Sequence, residues 1–407
     1  MQRMPTSLSA LIDRYDPDAQ LALARTIPAA WYTDSGIAAL ERATVLSQSW
    51  QMVGRVEQVS DAGQYITAVV GGEPVAVVRG GDGVLRGFFN VCRHHAAAVL
   101  TEAAGCARAL RCPYHGWTYT LEGALLGTPE WAGVEAFDRA ANGLVPVECA
   151  TWQDWVFVRP GRGGPSLESF VGADLMARVA ALGLSGLRWC ERRRYTLSCN
   201  WKVYVDNYLD GGYHVPHLHK GLAGVIDNTA YAIETGERWC VQSSPLACAP
   251  RPGGDEVTAA VRRGVRAFYA WLYPNFMINA YEGVLDTNLV VPLGVDRTEV
   301  IFDYYFADGA EDSVARNLAS IAVSERIQDE DVAICESVQR GLASRSYDSG
   351  RLSVRREAGE HLFHRLLHAD LKGGLTNSRA LAAKNRRALG KGGHTDSASL
   401  LAEDRRR

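Results

Sequence analysis

The 407-residue chain lacks the defining features of several large classes of protein. No window approaches the roughly 20 consecutive apolar residues of a membrane-spanning helix, so we expect a cytoplasmic protein without a membrane partner. Neither sign of charge dominates, because 43 basic and 46 acidic residues leave a net charge of -3, which gives no reason to expect nucleic acid as a partner. Nine cysteines at low density do not resemble a secreted disulfide scaffold.

The residues that are present predict a globular protein of two to three domains. Hydrophobic residues make up 47% of the chain and charged residues 22%, which is enough apolar surface for a substantial core. From Trp50 to about Val158, short β-rich runs separated by Gly and Asp turns predict a small antiparallel β domain. After a Gly-rich linker at 161–166, helical patterns alternate with aromatic, β-branched runs, which predicts an α+β second domain.

A Cys-x-His pair and a Cys-x-x-His pair stand close together in the predicted β domain. Cys92 and His94 form the first pair, and Cys112 and His115 form the second. Two thiolates and two imidazoles suit either tetrahedral zinc or an iron–sulfur cluster in which two histidines replace two cysteines on one iron. The order of the pairs and the surrounding β runs favour the cluster, with a zinc site as the alternative. His95 is expected to lie outside the cluster.

A second set of metal-binding residue types lies in 200–222. His214 and His219 stand on either side of Pro216, and both can face one metal only if the helix ends or distorts near the proline. His217 competes with them as a ligand. Two histidines and one carboxylate on one octahedral face leave open positions for O₂ and substrate, which is the arrangement of non-haem Fe(II) oxygenases.

The third iron ligand should be an acidic residue. A predicted helix offers four candidates, between which the pattern does not choose: Asp329, Glu330, Asp331 and Glu336. A solvated helix face is the alternative explanation of such a run. Asp210 precedes His214 by one helical turn, so it could hold the second nitrogen of that ring or bridge to a cluster histidine.

Taken together, these motifs closely resemble those of the Rieske non-haem iron oxygenases, and most specifically the choline monooxygenase-like branch. The similarity runs from about residue 27 to residue 371. Residues 206–220 fit the pattern DNYLDxxYHVPxxHK, and residues 330–342 fit EDVxLCESVQRGL apart from Ile334. The resemblance implies that Asp331 is the carboxylate ligand.

The same resemblance implies an α+β fold with two main parts. An antiparallel β Rieske [2Fe-2S] domain is placed at 45–160, and a helix-grip-like catalytic domain with an antiparallel sheet and helices is placed at 161–371. The segment 1–44 is expected to pack on the catalytic domain, and the basic segment 372–407 is expected to be a flexible tail.

The activity that the resemblance implies is that of a monooxygenase. It would hydroxylate a C–H bond of a small quaternary ammonium or N-methyl compound with O₂, by choline-like oxidation or oxidative N-demethylation. The alternatives are an aromatic or natural-product substrate and, in another class, an electron-transfer protein that needs only the cluster.

The resemblance also implies a homotrimer and an external source of electrons. Asp210 would link His214 to a cluster histidine of a neighbouring subunit, most simply His115. No Gly-rich dinucleotide-binding loop occurs in the chain, so a separate NAD(P)H-dependent flavin reductase, with or without a ferredoxin, is expected to dock near His94 and His115.

Two further patterns are open to more than one interpretation. A quaternary ammonium prefers aromatic faces, so three residues of the run FYAWLYPNFMINAY are candidate substrate contacts, with core packing as the alternative: Trp271, Phe276 and Tyr281. Histidines at helical spacing in 361–368 could form another metal face, but a packed C-terminal helix is favoured.

Overall fold

The computed structural model describes residues 7–247, 255–307 and 311–391 of the chain, and the side chains among these except for 311–312 and 377–391. Within these ranges, none of the helices combines the length and the apolar character that crossing a bilayer requires.

The β domain consists of short antiparallel strands. They are β1 (Gln51–Arg55), β2 (Gln64–Val70), β3 (Glu73–Arg79), β4 (Leu85–Phe89), β5 (Ala104–Cys106), β6 (Leu110–Arg111), β7 (Thr118–Tyr119), β8 (Leu125–Gly127), β9 (Pro146–Trp152) and β10 (Trp155–Arg159). One sheet has the order β1-β10-β9-β4-β3-β2-β5, and a small sheet has the order β6-β7-β8. The loop that carries the second predicted ligand pair connects β6 to β7, so the small sheet supports that loop.

The α+β domain is built on a single antiparallel sheet. Its strands are β11 (Arg188–Leu197), β12 (Ala232–Thr235), β13 (Trp239–Pro245), β14 (Arg266–Leu272), β15 (Phe276–Tyr281), β16 (Val284–Pro292) and β17 (Thr298–Phe306). Their order is β11-β17-β16-β15-β14-β13-β12. Because side chains alternate across a strand, each strand presents one row to the helices and one row to the opposite face.

Helices precede, interrupt and follow this sheet. They are α1 (Leu8–Ile12), α2 (Ala30–Thr33), α3 (Ser35–Glu41), α4 (Leu167–Val171), α5 (Ala173–Ala180), α6 (Trp201–Leu209), α7 (Val215–Leu218), α8 (Lys220–Ala223), α9 (Glu256–Val261), α10 (Glu311–Leu342) and α11 (Ala358–Lys391). A π-helical turn covers Arg42–Leu46, and 3₁₀ turns cover Val56–Val59, Ala140–Asn142 and Leu184–Gly186. The side chain of Asn200 caps α6 by accepting from the backbone N–H of Lys202.

The N-terminal segment lies against the helices of the α+β domain. Trp31 is fully buried, and its ring stacks on His368 of α11 with a centroid distance of 6.4 Å. The hydroxyl of Tyr32 donates to Asp206 of α6 at 2.5 Å. His368 therefore serves packing between helices, as expected for a packed C-terminal helix.

Helix α11 extends past the predicted end of the catalytic domain. It continues to Lys391, so the predicted boundary between residues 371 and 372 falls inside a helix. The remainder of the predicted tail, 392–407, lies outside the described residues.

Buried contacts join the β domain to the face of the large sheet that lies away from the helices. The indole N–H of Trp155 donates to the hydroxyl of Tyr305 at 3.1 Å, and the ring of Trp155 packs edge-on against Phe276 at 5.3 Å. Arg55 of β1 forms an ion pair with the buried Asp303 of β17. The predicted α+β class, with an antiparallel β domain joined to a helix-covered antiparallel sheet, is confirmed.

Candidate active site

Two tight loops carry the Cys and His pairs of the β domain. In the first loop, the backbone N–H of Cys92 donates to the carbonyl of Ala97 at 2.8 Å. In the second, the N–H of Cys112 donates to the carbonyl of Trp117, also at 2.8 Å. The same closing hydrogen bond in each loop places a cysteine at the base and a histidine towards the tip.

The four side chains of these loops converge. The Cys92 and Cys112 thiols are buried, and burial raises the pKa of the Cys112 thiol. The Nδ1 atoms of His94 and His115 lie 3.1 Å apart, and His115 is exposed. This set fits a [2Fe-2S] cluster with a buried, thiolate-bound iron and an outer, imidazole-bound iron. His95 is exposed and stands beside this group, with its ring centroid 5.4 Å from that of His115.

Aromatic side chains surround the four converging residues. The hydroxyl of Tyr119 lies 3.3 Å from the sulfur of Cys92 and accepts from the backbone N–H of Arg93 at 2.9 Å. The indole of Trp117 is nearly parallel to the His94 ring, at 7° and 4.9 Å. These contacts fix the ligand orientations and keep water from the thiol side, which are the means by which a protein tunes a cluster potential.

The second predicted site begins where α6 ends. Gly211 and Gly212 follow Asp210 with φ angles of 68° and 65°, and they turn the chain back towards α7. A Cβ atom on Gly211 would clash with the backbone carbonyl of Arg356. Glycine is therefore required here by both the left-handed conformation and the space, and the turn delivers His214 to the start of α7.

Helix α7 is a single short turn with a histidine at each end. It has Pro216 in its first turn and ends at His219, so the two rings face each other with centroids 4.8 Å apart, while His217 is exposed. Asp331 of α10 completes the group, with its Oδ1 atom 3.1 Å from Nε2 of His219. One ligand atom from each of His214, His219 and Asp331 lies within 4.8 Å of the others, which suits a single metal ion.

In both His214 and His219, a carboxylate oxygen lies within hydrogen-bond distance of the Nδ1 atom. Nδ1 of His214 lies 2.6 Å from Oδ2 of Asp210, and Nδ1 of His219 lies 2.6 Å from Oε2 of Glu330. Burial lowers the pKa of His219, but the hydrogen bonds to Asp331 and Glu330 outweigh burial and raise it above the ordinary value. Both rings thus have Nδ1 engaged and Nε2 available for a metal, as is usual for metal-binding histidines.

The four acids that the sequence offered on α10 have different surroundings. Asp329 is exposed, Asp331 points into the group, and Glu336 accepts from the backbone N–H of Ser198 at 2.9 Å. Glu330 was predicted only as a possible ligand, and the structure places it behind His219 instead. Its sequence position next to Asp331 gave no signal of this, because the histidine it contacts is more than a hundred residues away.

Asn207 of α6 is also part of the group. Its side-chain amide donates to Oδ1 of Asp331 at 2.8 Å. Asn207 therefore helps to orient the carboxylate of Asp331.

A cavity of about 120 Å³ adjoins the three candidate metal ligands. This volume is below the roughly 300 Å³ of pockets that hold drug-sized ligands, so the cavity suits a small molecule. Its aromatic lining is Tyr204, Tyr208, Tyr231, Tyr269, Tyr281 and Phe302. None of the cavity-lining residues belongs to the cluster loops within the described ranges.

The structure separates the three predicted aromatic substrate contacts. Tyr281 lines the cavity. Trp271 is fully buried and packs against Phe363 of α11 at 5.5 Å, because α11 covers that end of β14. Phe276 lies on the opposite face of the sheet, towards the β domain, because successive side chains of a strand point to opposite faces. Trp271 and Phe276 therefore do not reach the cavity.

The cavity lining also includes two charged residues that were not predicted from the sequence. Asp286 of β16 is buried and accepts from the side-chain amides of Asn279 and Asn288, and Arg262 lies before β14. Burial raises the pKa of Asp286, while Arg262 and the two amides act in the opposite direction. The available signal was the run of three polar residues, Asp286, Thr287 and Asn288, in an otherwise apolar strand.

A second cluster of possible ligands lies between α6 and α11. Asp206, Glu360 and His364 offer atoms within 4.8 Å of one another. Nε2 of His364 is 3.0 Å from Asp206, which also accepts from the hydroxyl of Tyr32. Because Asp206 contacts both Tyr32 and His364, this cluster ties the N-terminal segment to the two helices.

Comparisons with known proteins agree with this geometry. Residues 49–138 match the Rieske [2Fe-2S] domain, and residues 184–373 match the ring hydroxylating alpha subunit (catalytic domain). The chain is 38% identical to the chloroplastic choline monooxygenase of Arabidopsis thaliana over 379 residues, covering 90% of this chain and 88% of the relative. It is 30% identical to the carnitine monooxygenase oxygenase subunit of Escherichia coli K12, covering 84% of this chain and 92% of that one.

A solved structure shows the same architecture. It is a quaternary ammonium Rieske monooxygenase studied for carnitine oxidation by gut microbiota and for inter-subunit electron transfer. The two chains share 27% identity with a TM-score of 0.76, and the match covers 88% of this chain and 96% of that one.

Proposed function

Since the chain belongs to the Rieske non-haem iron oxygenases, and within them to the choline monooxygenase-like branch, we propose that it hydroxylates a C–H bond of a small quaternary ammonium compound. The reaction uses O₂ and two electrons supplied from outside the chain. One observation carries the proposal: His214, His219 and Asp331 converge at the wall of a small tyrosine-lined cavity that contains a buried acid.

The two sets of ligands have separate parts in this reaction. In the proposal, Fe(II) is held by His214, His219 and Asp331, and the [2Fe-2S] cluster is held by Cys92, His94, Cys112 and His115. When bound, the cluster relays electrons and the iron activates O₂ for C–H hydroxylation.

The chain's own side chains orient the ligands and shield the reaction. Asp210 and Glu330 hold the Nδ1 atoms of the two iron histidines, so both rings present Nε2 to the site. Of the tyrosines lining the cavity, Tyr204 is buried and the others are half-buried. Desolvation raises the pKa of Tyr204, Tyr208, Tyr231 and Tyr269, so they remain neutral.

We propose that electrons pass between subunits of a homotrimer, and the position of Asp210 supports this. It sits at the surface end of α6, beside the exposed Tyr213, and His115 stands exposed at the tip of its loop. We place Asp210 between His214 and the partner subunit's His115. A related solved enzyme was studied for inter-subunit electron transfer, which supports this arrangement.

The electrons come from a separate protein in this proposal. A flavin reductase that oxidises NAD(P)H, with or without a ferredoxin, docks near His94 and His115, because the imidazole side of the cluster is the exposed side. The plant relatives are chloroplastic, so a cytoplasmic location for this chain stays a prediction.

Two products distinguish the possible reactions on such a substrate. Hydroxylation of an alcohol-bearing carbon, as in choline, gives an aldehyde hydrate, whereas hydroxylation of an N-methyl group gives formaldehyde and a demethylated amine. The small cavity and its buried Asp286 favour a compact cation over a polycyclic aromatic substrate. The iron ligand group and its cavity argue against a protein that only transfers electrons.

The test is metal analysis followed by turnover. Anaerobically purified protein should contain about three irons and two acid-labile sulfides per chain, and its reduced form should give a rhombic EPR signal with average g below 2. Protein reduced with dithionite and freed of excess reductant is then mixed with O₂ and either choline or L-carnitine. We expect a hydroxylation product from at least one of them. Zinc without sulfide, or O₂ consumption without product from either compound, would contradict the proposal.

A further inference from the structure

We propose that Asp286 is the counter-ion that recognises the quaternary ammonium group of the substrate. The inference rests on the proposed function, because it assigns the recognition of that substrate to a side chain. In this proposal, a buried carboxylate takes the role that was expected of aromatic side chains.

Strand pairing fixes the position of Asp286. It lies directly opposite Asn279 of β15 on one side and opposite Tyr304 of β17 on the other, in the middle of the sheet. Its side chain is 4% exposed and lines the cavity beside the candidate iron ligands. A carboxylate on a central strand cannot move to solvent, so its charge acts inside the cavity.

Hydrogen bonds to the Asp286 carboxylate favour its ionised form, which can attract a cation. The hydroxyl of Tyr208 donates to the side-chain oxygen of Asn279 at 2.8 Å, which fixes that amide with its NH₂ group towards Asp286. Asn279 and Asn288 then donate to Oδ2 of Asp286 at 2.7 and 3.1 Å. Donors to a carboxylate favour its ionised form.

The basic residue of the cavity lining, Arg262, is already engaged. Arg262 donates to the hydroxyls of Ser320 and Ser324 at 2.6 Å each, and its guanidinium lies 4.8 Å from the centre of the Tyr281 ring. Among the described side chains, Arg262 makes no ion pair with Asp286 within 4.0 Å. One face of the Tyr281 ring is therefore occupied by the chain's own cation.

A second tyrosine of the cavity is covered in the same way. The guanidinium of Arg356 lies 5.5 Å from the centre of the Tyr231 ring. A quaternary ammonium has no N–H group to donate, so charge and apolar contact are its only means of recognition. Of the two acids that line the cavity, Asp331 is assigned to the iron, so the charge that complements the cation is that of Asp286.

The first experiment compares choline with its neutral isostere 3,3-dimethylbutan-1-ol, in which a tert-butyl group replaces trimethylammonium. In the wild-type enzyme, we expect kcat/KM for choline to exceed that for the isostere by about tenfold or more. In Asp286→Asn, we expect the KM for choline to rise by about tenfold or more, while the KM for the isostere changes by less than about twofold.

Asp370→Asn is the matched control. Asp370 is a half-buried acid of α11 that accepts from the hydroxyl of Tyr273 outside the cavity, so its loss should leave the ratio between the two substrates unchanged. An equal loss for both substrates in Asp286→Asn would overturn the proposal and leave Asp286 with a structural role. Absence of product from choline and L-carnitine in the wild-type enzyme would instead refute the proposed function itself.

A measurement on the wild-type enzyme keeps the test valid if Asp286→Asn does not fold. The groups facing Asp286 are Arg262 and the phenols of Tyr204, Tyr208, Tyr281 and Tyr304, and burial raises the pKa of all four phenols. Asp286 is thus the group among them whose charge changes on the acid side. Its raised pKa predicts that the KM for choline, relative to the KM for the isostere, falls as pH rises through that value, because any effect at the iron ligands that line the same cavity acts on both substrates. Parallel profiles would contradict the proposal.

Discussion

The two candidate metal centres of this chain are assembled in opposite ways. The cluster ligands come from two loops of one small domain, and backbone hydrogen bonds at Cys92 and Cys112 close each loop locally. The iron ligands come from the ends of α7 and from α10, and Asp331 is more than a hundred residues from either histidine. The first centre depends on local turns, whereas the second depends on tertiary packing.

The partners of the ligands differ in the same way. At the cluster, backbone groups and the hydroxyl of Tyr119 surround Cys92. At the iron site, each histidine has its own carboxylate, Asp210 or Glu330. A change at the iron site should therefore leave the cluster intact, and the reverse should also hold, which gives four predictions.

Asp331→Asn should have the largest effect. It removes the anionic iron ligand, so we expect iron loss and a fall in turnover of more than about a hundredfold, while the visible spectrum and EPR signal of the cluster remain. Asp329→Asn, on the exposed face of the same helix, is the control and should behave as wild type. Loss of the cluster signal in Asp331→Asn would show that the two centres are not independent.

Asp210→Asn tests the one residue that we assign to both centres. The amide keeps the shape of the carboxylate but loses its charge-assisted hydrogen bond to His214, so we expect turnover to fall by about tenfold to a hundredfold. Stopped-flow absorbance should show normal reduction of the cluster by dithionite but slow reoxidation with O₂ and substrate. Reoxidation at the wild-type rate would contradict a bridge to the partner subunit's His115.

Glu330→Gln provides the contrasting change at the other histidine. Glu330 is partly exposed and holds His219, for which we propose no part in electron transfer. Iron affinity should therefore fall by about tenfold, as for other partners of metal-bound histidines, and saturating Fe(II) should restore normal reoxidation of the cluster. If reoxidation of the cluster stayed slow after Fe(II) was added, Glu330 and Asp210 would not differ in their effect on electron transfer.

Tyr119→Phe should have the smallest effect and should be confined to the cluster. When the thiolate of Cys92 is bound to iron it has no proton, so the Tyr119 hydroxyl is the donor of this hydrogen bond. A hydrogen bond to sulfur stabilises the reduced cluster. Loss of about 1 kcal/mol corresponds to a reduction potential lower by on the order of 40 mV for one electron. Redox titration followed by EPR measures it, and unchanged iron content is the internal control.

The contrast between the centres also explains how much the sequence could predict. All four candidate cluster ligands were named from the sequence, because their spacing of one and two residues within short loops is itself the geometry of the site. His214 and His219 could also be predicted from the sequence, provided that the helix ends near Pro216. The structure meets this condition, because α7 ends at Leu218 and His219 follows it.

The choice of Asp331 could not be made from the pattern alone. Asp329, Glu330 and Asp331 are adjacent on one helix, and their different surroundings arise from how α10 packs against α6 and α7. Resemblance to known enzymes selected Asp331. The role of Glu330 behind His219 was not predicted, because no local rule connects the two positions.

The cavity was the least predictable part. The aromatic run of β14 and β15 indicated strands, but it could not show that α11 covers Trp271 or that Phe276 faces the β domain. Asp286 could not be recognised from the sequence, because an acid in a strand is ordinarily a solvent-facing residue. Its burial is a consequence of its phase in the strand and of the helices above it.

The division between helices and sheet bears on how such an enzyme changes its substrate during evolution. The proposed iron ligands and the residues that orient them lie on or between helices, while Tyr269, Asn279 and Asp286 project from consecutive strands. Mutations on those strands can alter what the cavity accepts without altering the metal coordination. Selection for a new substrate can then act on the floor of the cavity while the oxygen chemistry above it is conserved.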